Sequence, residues 1–416
     1  MSVTPRTSNG CASREPRALC CQQVAPHYLP SWGTGVGSLH HTGQDSKSSE
    51  QESPLLTELW VDRTHYRHTK VQQGDVPAPR DGEILIAIDK FAMTANNVTY
   101  AASGDLFGYW QFFPTGEDPW GKVTVWGIGE VIESCSDAIG VGERLYGFFP
   151  MSSHVVMTPG DVSPRGFTDV SAHRQALPAL YNHYARTEAE PAELRALEDQ
   201  RCIFFPLFMT GYVIADLLSD NDWFGAEQLL VGSASSKTGF SSAAFARAAG
   251  FTDAVIGLTG ASNVAFCETL GCYDKVLSYA EVETLPDAPT AYIDIAGDVT
   301  VRSRLHHHLR DNARCTLLVG ATHWDQFKNS VDSGALPGSA PAVFFAPAQI
   351  EKRDSEWGRG VMMGQAYAAS IELVQRLAPS LAMESHRGTE ACNAIWQALL
   401  ANEISGRQGV MMSLGE

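Results

Sequence analysis

The chain has few basic residues for its size. Of its 416 residues, 30 are lysine or arginine and 47 are aspartate or glutamate, so the formal net charge at pH 7 is −17. An acidic protein repels nucleic acids and anionic membrane surfaces, since both carry dense negative charge. The composition therefore argues against both as partners; the partner that we expect is a small-molecule substrate.

Long apolar runs and closely spaced cysteines are also missing. No run of 18 apolar residues occurs, so we expect no membrane span. The first residues carry Arg6, Arg14 and Arg17 without an apolar centre, which does not match a secretory signal. Beyond the N-terminal segment, no two cysteines lie closer than Cys267 and Cys272, a spacing that suits neither a disulfide framework nor a structural zinc loop. A reducing, cytoplasmic location is the resulting prediction.

The N-terminal segment differs from the rest of the chain. Residues 1–53 are rich in Ser, Gly, Gln and His and show little apolar periodicity. Such a composition cannot support a packed core, so we predict a disordered N-terminal extension. The remaining length is sufficient for two or three domains.

A loop of small residues is the most informative motif. The segment LLVGSASSKTGFSSAAFARAAG (229–250) reads as a strand, a turn and a helix, the order that opens a dinucleotide-binding βαβ unit. The start of such a helix offers free N–H groups and a positive dipole end to a pyrophosphate. The predicted phosphate-binding residues are Ser235, Ser236, Lys237, Thr238 and Gly239.

Further strand candidates follow this loop. They are AVIGLT (254–259), DKVLSY (274–279), AYIDIAG (291–297) and CTLLVGAT (315–322), and a helix is predicted over 262–272. Strands that alternate with helical segments imply right-handed crossovers and a parallel sheet. A doubly wound domain that binds no nucleotide remains the alternative, because a fold alone does not prove a site.

The loop departs from both glycine-rich nucleotide motifs. Of a strict G-x-G-x-x-G, only Gly232 and Gly239 remain. A P-loop ending at Lys237 would need glycines at Val231 and Ser236, and without them the backbone cannot wrap a phosphate. The sequence therefore argues against an NTPase.

No carboxylate follows the second strand candidate. An NAD-preferring site usually carries Asp or Glu about 20 residues past the glycine loop, to hold the ribose hydroxyls. Here the polar residues are Thr259, Ser262 and Asn263, and no arginine stands beside them. Their hydroxyl and amide groups, with Lys237 nearby, favour NADP(H) over NAD(H). Lys237 is equally well interpreted as a solvated loop lysine.

Short strand candidates precede the loop. The segment GEILIAIDKFAMTANNVTYAASG (82–104) begins with alternating apolar residues, and VTVWGIGEVIES (123–134) reads as a strand pair around Gly127 and Gly129. Residues 139–159 contain a glycine-rich turn before two short strands. This pattern predicts a small all-β unit.

Together these segments resemble the medium-chain dehydrogenase/reductase superfamily, most closely its zinc-free quinone and enoyl reductase branch. GVGERLYGF (140–148) is similar to the superfamily's G-D-R-V-x-G turn, and LGCYDKVLSY (270–279) to L-G-A-D-x-V-I-x-Y. AYIDIAG is similar to the D-x-V-G strand end, and GRQGVMMSL (406–414) to the closing G-K-x-V-L strand. The resemblance covers roughly 54–416. The SSKT loop and an insert at 173–200 depart from it, which indicates an outlying, uncharacterised branch.

The resemblance implies an α/β fold of two domains. Residues 54–204 and 346–416 would form a GroES-like, β-rich catalytic domain, and 205–345 a Rossmann-type domain with a doubly wound parallel sheet. It also adds Tyr279, Gly297 and Gly320 to the expected cofactor contacts. A monomer or a homodimer is expected.

The zinc ligands of the superfamily's zinc-dependent members are missing here. The matching turn MTANNVTY (93–100) has no cysteine, and VWGIGEV (125–131) has no histidine. The three consecutive histidines at 306–308 would point in different directions on a helix and cannot share one ion. We therefore expect no metal.

Without a metal, a side chain must supply the proton or a polarising hydrogen bond. In the enoyl reductase branch a tyrosine soon after the first β-domain strands can do so, and the candidates are Tyr100 and Tyr109, with Asn97 to orient the substrate. Aromatic packing and a simple turn are the alternatives. The segment YNHYAR (181–186), taken as helical, either lines the cleft or buries a domain contact.

The expected function is an NADPH-dependent reduction of an activated C=C or carbonyl group in an apolar or conjugated molecule. The alternative is a non-redox lyase or isomerase, or a non-catalytic binding protein, on the same scaffold.

Overall fold

A computed structural model describes residues 55–320 and 336–415. The disordered extension predicted for 1–53 lies outside the described residues, as do the last two residues of the strand candidate 315–322. The described strands and helices are numbered in chain order.

The first ten strands lie before the phosphate loop. They are β1 (Leu55–Asp62), β2 (Thr69–Asp75), β3 (Ile84–Met93), β4 (Trp120–Lys122), β5 (Thr124–Ser134), β6 (Arg144–Pro150), β7 (His154–Met157), β8 (Pro159–Ser163), β9 (Gly166–Asp169) and β10 (His183–Arg186). The later strands are β11 (Gln228–Gly232), β12 (Ala254–Thr259), β13 (Lys275–Ser278), β14 (Thr290–Asp294), β15 (Ala313–Leu318), β16 (Ala342–Val343), β17 (Ala382–Arg387) and β18 (Gln408–Ser413).

The described α-helices range from 4 to 23 residues. They are α1 (Ala95–Ala102), α2 (Gly104–Phe107), α3 (Ala192–Arg195), α4 (Glu198–Asp220), α5 (Lys237–Ala248), α6 (Val264–Thr269), α7 (Val299–Leu309), α8 (Ala346–Trp357), α9 (Val361–Leu377) and α10 (Thr389–Leu400).

Two sheets form the β-rich part of the molecule. One is the antiparallel set β2–β1–β4, and the other runs β17–β18–β3–β5–β6–β10–β9–β8, with β7 also paired to β3. Phe91, Phe148 and Phe149 from this larger sheet and Trp396 from α10 are fully buried in one apolar core. Burial of side chains this large is the main stabilising contribution in such a core.

The segment predicted as a strand pair around Gly127 and Gly129 is one continuous strand, β5. A Cβ atom at Gly127 would lie 2.5 Å from the carbonyl oxygen of Lys90, and one at Gly129 would lie 2.6 Å from Ile86. The glycines therefore permit close approach of β3 and do not mark a turn.

The parallel sheet has the strand order β13–β12–β11–β14–β15–β16. Each neighbouring pair in this order runs parallel. In chain order this is 3-2-1-4-5-6, the classic arrangement of the dinucleotide-binding fold, with its switch point between β11 and β14. The predicted doubly wound sheet is thus confirmed.

The end of the chain returns to the β-rich part. Strand β18 pairs antiparallel with β3 and parallel with β17, as expected for a closing strand. Before this return, α8 and α9 share an apolar core with the parallel sheet, where Met362 and Val374 are buried together with Val231. That core therefore extends beyond residue 345, the predicted domain boundary.

Helix α4 is the central helix of the same core. Among the described residues it is the one helix long and apolar enough, by length and composition, to cross a membrane, with a mean hydropathy of 1.7 over its most apolar window. In the structure 67% of that window is buried, and α4 packs against α5, α8 and α9. This is the environment of a core helix.

The segment YNHYAR is not helical. Residues Ala179–Asn182 form a single 3₁₀ turn, and the chain then continues directly into β10. The helical interpretation of this segment was therefore wrong, because β10 pairs with both β6 and β9 and that pairing overrides local propensity.

Candidate functional site

The predicted phosphate loop lies at the carboxyl end of β11, at the switch point of the parallel sheet. Ser236 caps α5, since its hydroxyl accepts the N–H of Gly239 at 3.1 Å. Within the described part of the chain, the N–H groups of Ser235, Lys237 and Thr238 have no hydrogen-bond partner. The start of α5 therefore offers three donors to an anion.

The Lys237 side chain is not directed at this anion site. Its ammonium donates to the carbonyl oxygens of Gly406, at 3.1 Å, and Gln408, at 2.7 Å. Burial lowers the pKa of Lys237 to about 8, whereas the two carbonyl acceptors favour the charged form. Lys237 thus links α5 to the start of β18, a position that neither the phosphate-binding nor the solvated-loop interpretation describes.

The polar residues predicted to select the cofactor lie after β12. Thr259 is buried and donates its hydroxyl to the Ser235 hydroxyl oxygen at 3.2 Å, so it supports the loop. Ser262 is exposed and Asn263 is half-buried, and both lie in the turn that leads into α6. No carboxylate lies in this turn.

An arginine that was not predicted from the sequence packs on α6, the helix that follows this turn. The Arg407 guanidinium lies 4.8 Å from the ring centroid of Phe266, which belongs to α6. The preceding Gly406 packs directly on the Ser235 carbonyl, where a Cβ atom would clash. Local spacing gave no hint of this, because Arg407 is far along the chain. The GRQGVMMSL motif, as a returning strand, was the available signal.

Tyr279, the residue directly after β13, supports the loop. Its hydroxyl accepts the N–H of Ser233 at 3.2 Å, and burial raises its pKa above the usual value. Ser233 has a φ of 52°, in the left-handed region, so this bond holds a strained turn directly after β11.

Gly297 and Gly320 line a cavity of about 30 Å³ beside α1, next to the carboxyl ends of β14 and β15. The N–H of Gly297 donates to Asp294 at 2.9 Å, and Asp294 forms a fully buried ion pair with Arg302 at 2.8 Å. A Cβ atom at Gly320 would lie 2.5 Å from the Ile295 carbonyl oxygen. Both glycines therefore shape the edge at which this fold receives ligands.

Four tyrosines line a second cavity, of about 60 Å³, between β5, β6 and helices α4, α8 and α9. They are Tyr100, Tyr146, Tyr181 and Tyr367. The Tyr100 oxygen accepts the indole N–H of Trp126 at 3.1 Å, which orients the phenol and leaves its own O–H as a donor. Burial raises the pKa of Tyr100 well above its usual value, so the phenol stays protonated.

Tyr109 lies behind this cavity. Its hydroxyl is 3.0 Å from the Tyr181 hydroxyl, and its ring centroid is 4.6 Å from that of Tyr100. The structure therefore brings the two predicted tyrosines together, with Tyr181 as the hydroxyl that connects Tyr109 to the cavity. Tyr181 belongs to YNHYAR, for which a place in the cleft was one of the two interpretations. Tyr146 and Tyr367 were not predicted as cavity residues, because they come from separate segments of the chain.

Asn97 completes the turn at the start of α1, the alternative to a role in orienting the substrate. It is 2% exposed; its side-chain oxygen accepts the Thr94 N–H at 2.6 Å, and its amide donates to the Thr124 carbonyl at 2.9 Å. Both ends of the amide are thus used to cap α1 and to hold it on β5. Asn97 does not line the tyrosine cavity.

The two cavities are small. Volumes of about 30 and 60 Å³ hold only a few water molecules. The donors at α5 suit a pyrophosphate in kind and position, so the residues present fit a dinucleotide. A nicotinamide ring and a substrate enter only if the segments around these cavities separate.

Comparisons with known proteins give a family and a fold. The model of the family "Protein of unknown function (DUF2855)" matches residues 91–405. No curated protein matches the sequence.

Three solved structures are similar to the chain. CurA from Vibrio vulnificus has a TM-score of 0.52 and 13% identity, covering 87% of this chain and 100% of that chain. CurA in complex with NADPH, from the same organism, gives 0.52 and 13%, covering 86% and 99%. The human synaptic vesicle membrane protein VAT-1 homolog-like protein gives 0.52 and 13%, covering 87% and 99%. At this identity the similarity shows the fold, and it confirms the two-part fold predicted from the resemblance.

Proposed function

The chain belongs to the DUF2855 family, and from this premise we propose that it is an NADP(H)-dependent oxidoreductase that reduces an activated C=C or carbonyl group in a small apolar or conjugated molecule. The observation that carries the proposal is Tyr100, a protonated, oriented phenol in an aromatic cavity. The parallel sheet with the dinucleotide-binding strand order belongs to the same compact unit.

The cofactor would be held at the start of α5. The free N–H groups of Ser235, Lys237 and Thr238 would receive the pyrophosphate, since a helix N-terminus stabilises negative charge. Ser262 and Arg407 would receive a 2′-phosphate, and no carboxylate in that turn would repel it. The NADPH complex of CurA, on a similar fold, supports this choice. When bound, NADP(H) supplies or accepts the hydride.

Tyr100 would act on the oxygen of the substrate. Reduction of a conjugated carbonyl develops negative charge on that oxygen, and a donor already aimed at it lowers the barrier. The Trp126 N–H, bound to the Tyr100 oxygen, would stabilise the phenolate that remains after proton transfer. The hydroxyl pair of Tyr109 and Tyr181 lies next to this ring and could return the proton.

The cavity lining indicates an apolar substrate. Besides the phenols and Thr210, it consists of apolar side chains, among them Phe205, Met209 and Met363. Methionines adapt to ligands of different shapes, and aromatic rings pack on planar conjugated groups. Enones and quinones combine both properties.

The proposal is tested with purified protein, NADPH and a panel of enones and quinones, by following absorbance of the reduced nicotinamide. Tyr100→Phe should lower kcat about 100-fold or more, the usual effect of removing a general acid. Tyr212→Phe is the matched control, because its hydroxyl bonds Gln365 outside the cavity lining. If no substrate is reduced by protein that binds NADPH, or if Tyr100→Phe turns over like the parent, the role given to Tyr100 is wrong.

A non-redox protein on this scaffold is the second candidate. The observation that favours it is the packing of Gly406 on the Ser235 carbonyl, which narrows access to the phosphate loop. The two candidates separate on binding: a non-redox protein of this kind would leave NADPH unbound at millimolar concentration.

A further inference from the structure

Asp62, His65 and His68 meet at the hairpin between β1 and β2, on different elements from the tyrosine cavity and the phosphate loop. The Asp62 Oδ2 atom is 3.8 Å from the Nδ1 atom of each histidine, and one ligand atom from each residue lies within 4.8 Å of the others. The two imidazole rings stack with centroids 5.3 Å apart. Three groups able to ligate a metal therefore converge within seven residues of chain.

The Asp62 carboxylate is fixed before any ion binds. Its Oδ1 atom accepts the N–H of Thr64 at 2.8 Å, the Thr64 hydroxyl at 2.7 Å and the N–H of His65 at 3.1 Å. The turn is closed by the Asp62 N–H, which donates to the His68 carbonyl at 3.0 Å. With Oδ1 fully occupied, Oδ2 is the atom presented to the imidazoles.

We propose that Asp62, His65 and His68 form a binding site for one divalent transition-metal ion, with Zn²⁺ as the best match. Two imidazole nitrogens and one carboxylate oxygen are a donor set for zinc and its neighbours, whereas Ca²⁺ and Mg²⁺ prefer oxygen alone. Ligand atoms on a tetrahedral zinc lie about 3.4 Å apart, given bonds of about 2.1 Å.

The observed spacing is close to this requirement. The two 3.8 Å separations need to shorten by about 0.4 Å. The separation between the two histidine ligand atoms is at most 4.8 Å and needs to shorten by at most about 1.4 Å, which the histidine side chains, 68% and 69% exposed, are free to do by rotation. The His65 Nδ1 atom would exchange its 2.9 Å contact with the Thr64 hydroxyl for the metal bond. Solvent would complete the coordination.

The site has a structural consequence for the C-terminal helix. The loop that carries the histidines is docked on α10: Trp396 donates its indole N–H to the Tyr66 carbonyl at 2.7 Å, and Gln397 donates to the Arg67 carbonyl at 3.0 Å. An ion that fixes this loop would therefore stabilise the contact between β1–β2 and α10. The expectation of no metal rested on the zinc positions of the superfamily, the cysteine spacing and the histidines at 306–308, and did not consider Asp62, His65 and His68.

The test is zinc titration of the metal-free full-length chain by calorimetry, with a thermal melt at each zinc level. The double variant His65→Ala/His68→Ala should bind one ion fewer than the parent and lose the rise in Tm that zinc gives the parent. His307→Ala is the matched control, since it removes an exposed histidine of α7 and should change neither quantity. Because the parent and the variants share the other histidines and cysteines of the chain, zinc bound at those residues does not contribute to the difference between them.

A second variant tests the carboxylate ligand separately. Asp62→Asn retains the size of the side chain but removes its charge, and it should weaken binding of the same ion at least tenfold. Circular dichroism of each variant without metal checks that the fold is intact. Equal stoichiometry, affinity and Tm response in the parent and the double variant would overturn the site. None of these readouts uses cofactor binding or turnover.

Discussion

Tyr100 and Lys237 are both buried polar side chains, and burial acts on each against its charged form. It raises the pKa of the Tyr100 phenol and lowers that of the Lys237 ammonium, to about 8. The consequences differ because the partners differ: the Tyr100 hydroxyl accepts the Trp126 N–H and lines a cavity, whereas the Lys237 ammonium donates to two backbone carbonyls. Tyr100 is therefore positioned to contact a ligand, whereas Lys237 stabilises the fold.

The raised pKa of Tyr100 sets the pH dependence of turnover. Because the phenol stays protonated above its ordinary pKa of about 10, kcat should be level from pH 7 to pH 9 as far as this group is concerned. A pH profile of kcat for the parent enzyme measures this. A fall in activity centred near pH 8 that disappears in Tyr100→Phe would contradict the assignment.

Lys237 predicts a pH dependence of stability. Its pKa is about 8 in the folded chain and about 10.4 when unfolded, so between these values the unfolded state binds more protons. The free energy of unfolding of the parent, relative to Lys237→Met, should therefore rise with pH from about 8 to 10.4, by at most about 3 kcal/mol. Below pH 8 the difference should be constant.

Urea denaturation at several pH values measures this difference. Lys275→Met is the control, because Lys275 is exposed and should give a curve parallel to that of the parent. A parallel curve for Lys237→Met as well would mean that Lys237 has an ordinary pKa in the folded protein.

Arg407 predicts cofactor selectivity. If its guanidinium binds the 2′-phosphate, Arg407→Ala should weaken NADPH binding about tenfold or more and NADH binding much less. The reason is that a charge-assisted hydrogen bond contributes about 1.5–3 kcal/mol. Calorimetric dissociation constants for both cofactors give the answer, with the exposed Arg387→Ala as the control. Equal weakening of NADPH and NADH binding would show that Arg407 does not contact the 2′-phosphate.

At the scale of elements, the sequence correctly predicted strands that are marked by a local run of apolar residues. The apolar run 254–259 forms β12 over the predicted residues, and 274–279 contains β13. The glycines of β5 were misinterpreted because a turn and a close strand contact both require the absence of a side chain. The complete lining of the tyrosine cavity could not be predicted, since its residues meet only through tertiary packing.

Two helix glycines with different surroundings, Gly211 at the contact between α4 and α5 and Gly364 in α9, should respond oppositely to substitution by alanine. A Cβ atom at Gly211 would clash with Ser241 and approach the Ser242 N–H to 2.8 Å, so Gly211→Ala should destabilise the protein by about 1–3 kcal/mol. Gly364, in α9, has nothing within 4 Å of that position, and Gly364→Ala should stabilise by about 0.5–1 kcal/mol. Urea denaturation of both variants checks the signs; a stabilising Gly211→Ala would refute the close packing.

At the scale of the whole molecule, the last strand joins the two kinds of sheet. Strand β18 completes the large β-sheet by pairing with β3. In the turn before β18, Gly406 packs on the phosphate loop of the parallel sheet and its carbonyl accepts a hydrogen bond from Lys237 of α5. The tyrosine cavity is bounded by both parts as well. Because the cavities are small, binding of a dinucleotide must widen the space between these parts.

The most direct test of the account is calorimetric binding of NADPH to the purified full-length chain, with NADH and ATP as comparisons and a thermal melt on each mixture. The account predicts that NADPH binds at one site and raises Tm, that NADH binds more weakly, and that ATP gives no comparable shift. No binding of NADPH or NADH, with Tm unchanged at millimolar cofactor, would contradict the proposed oxidoreductase.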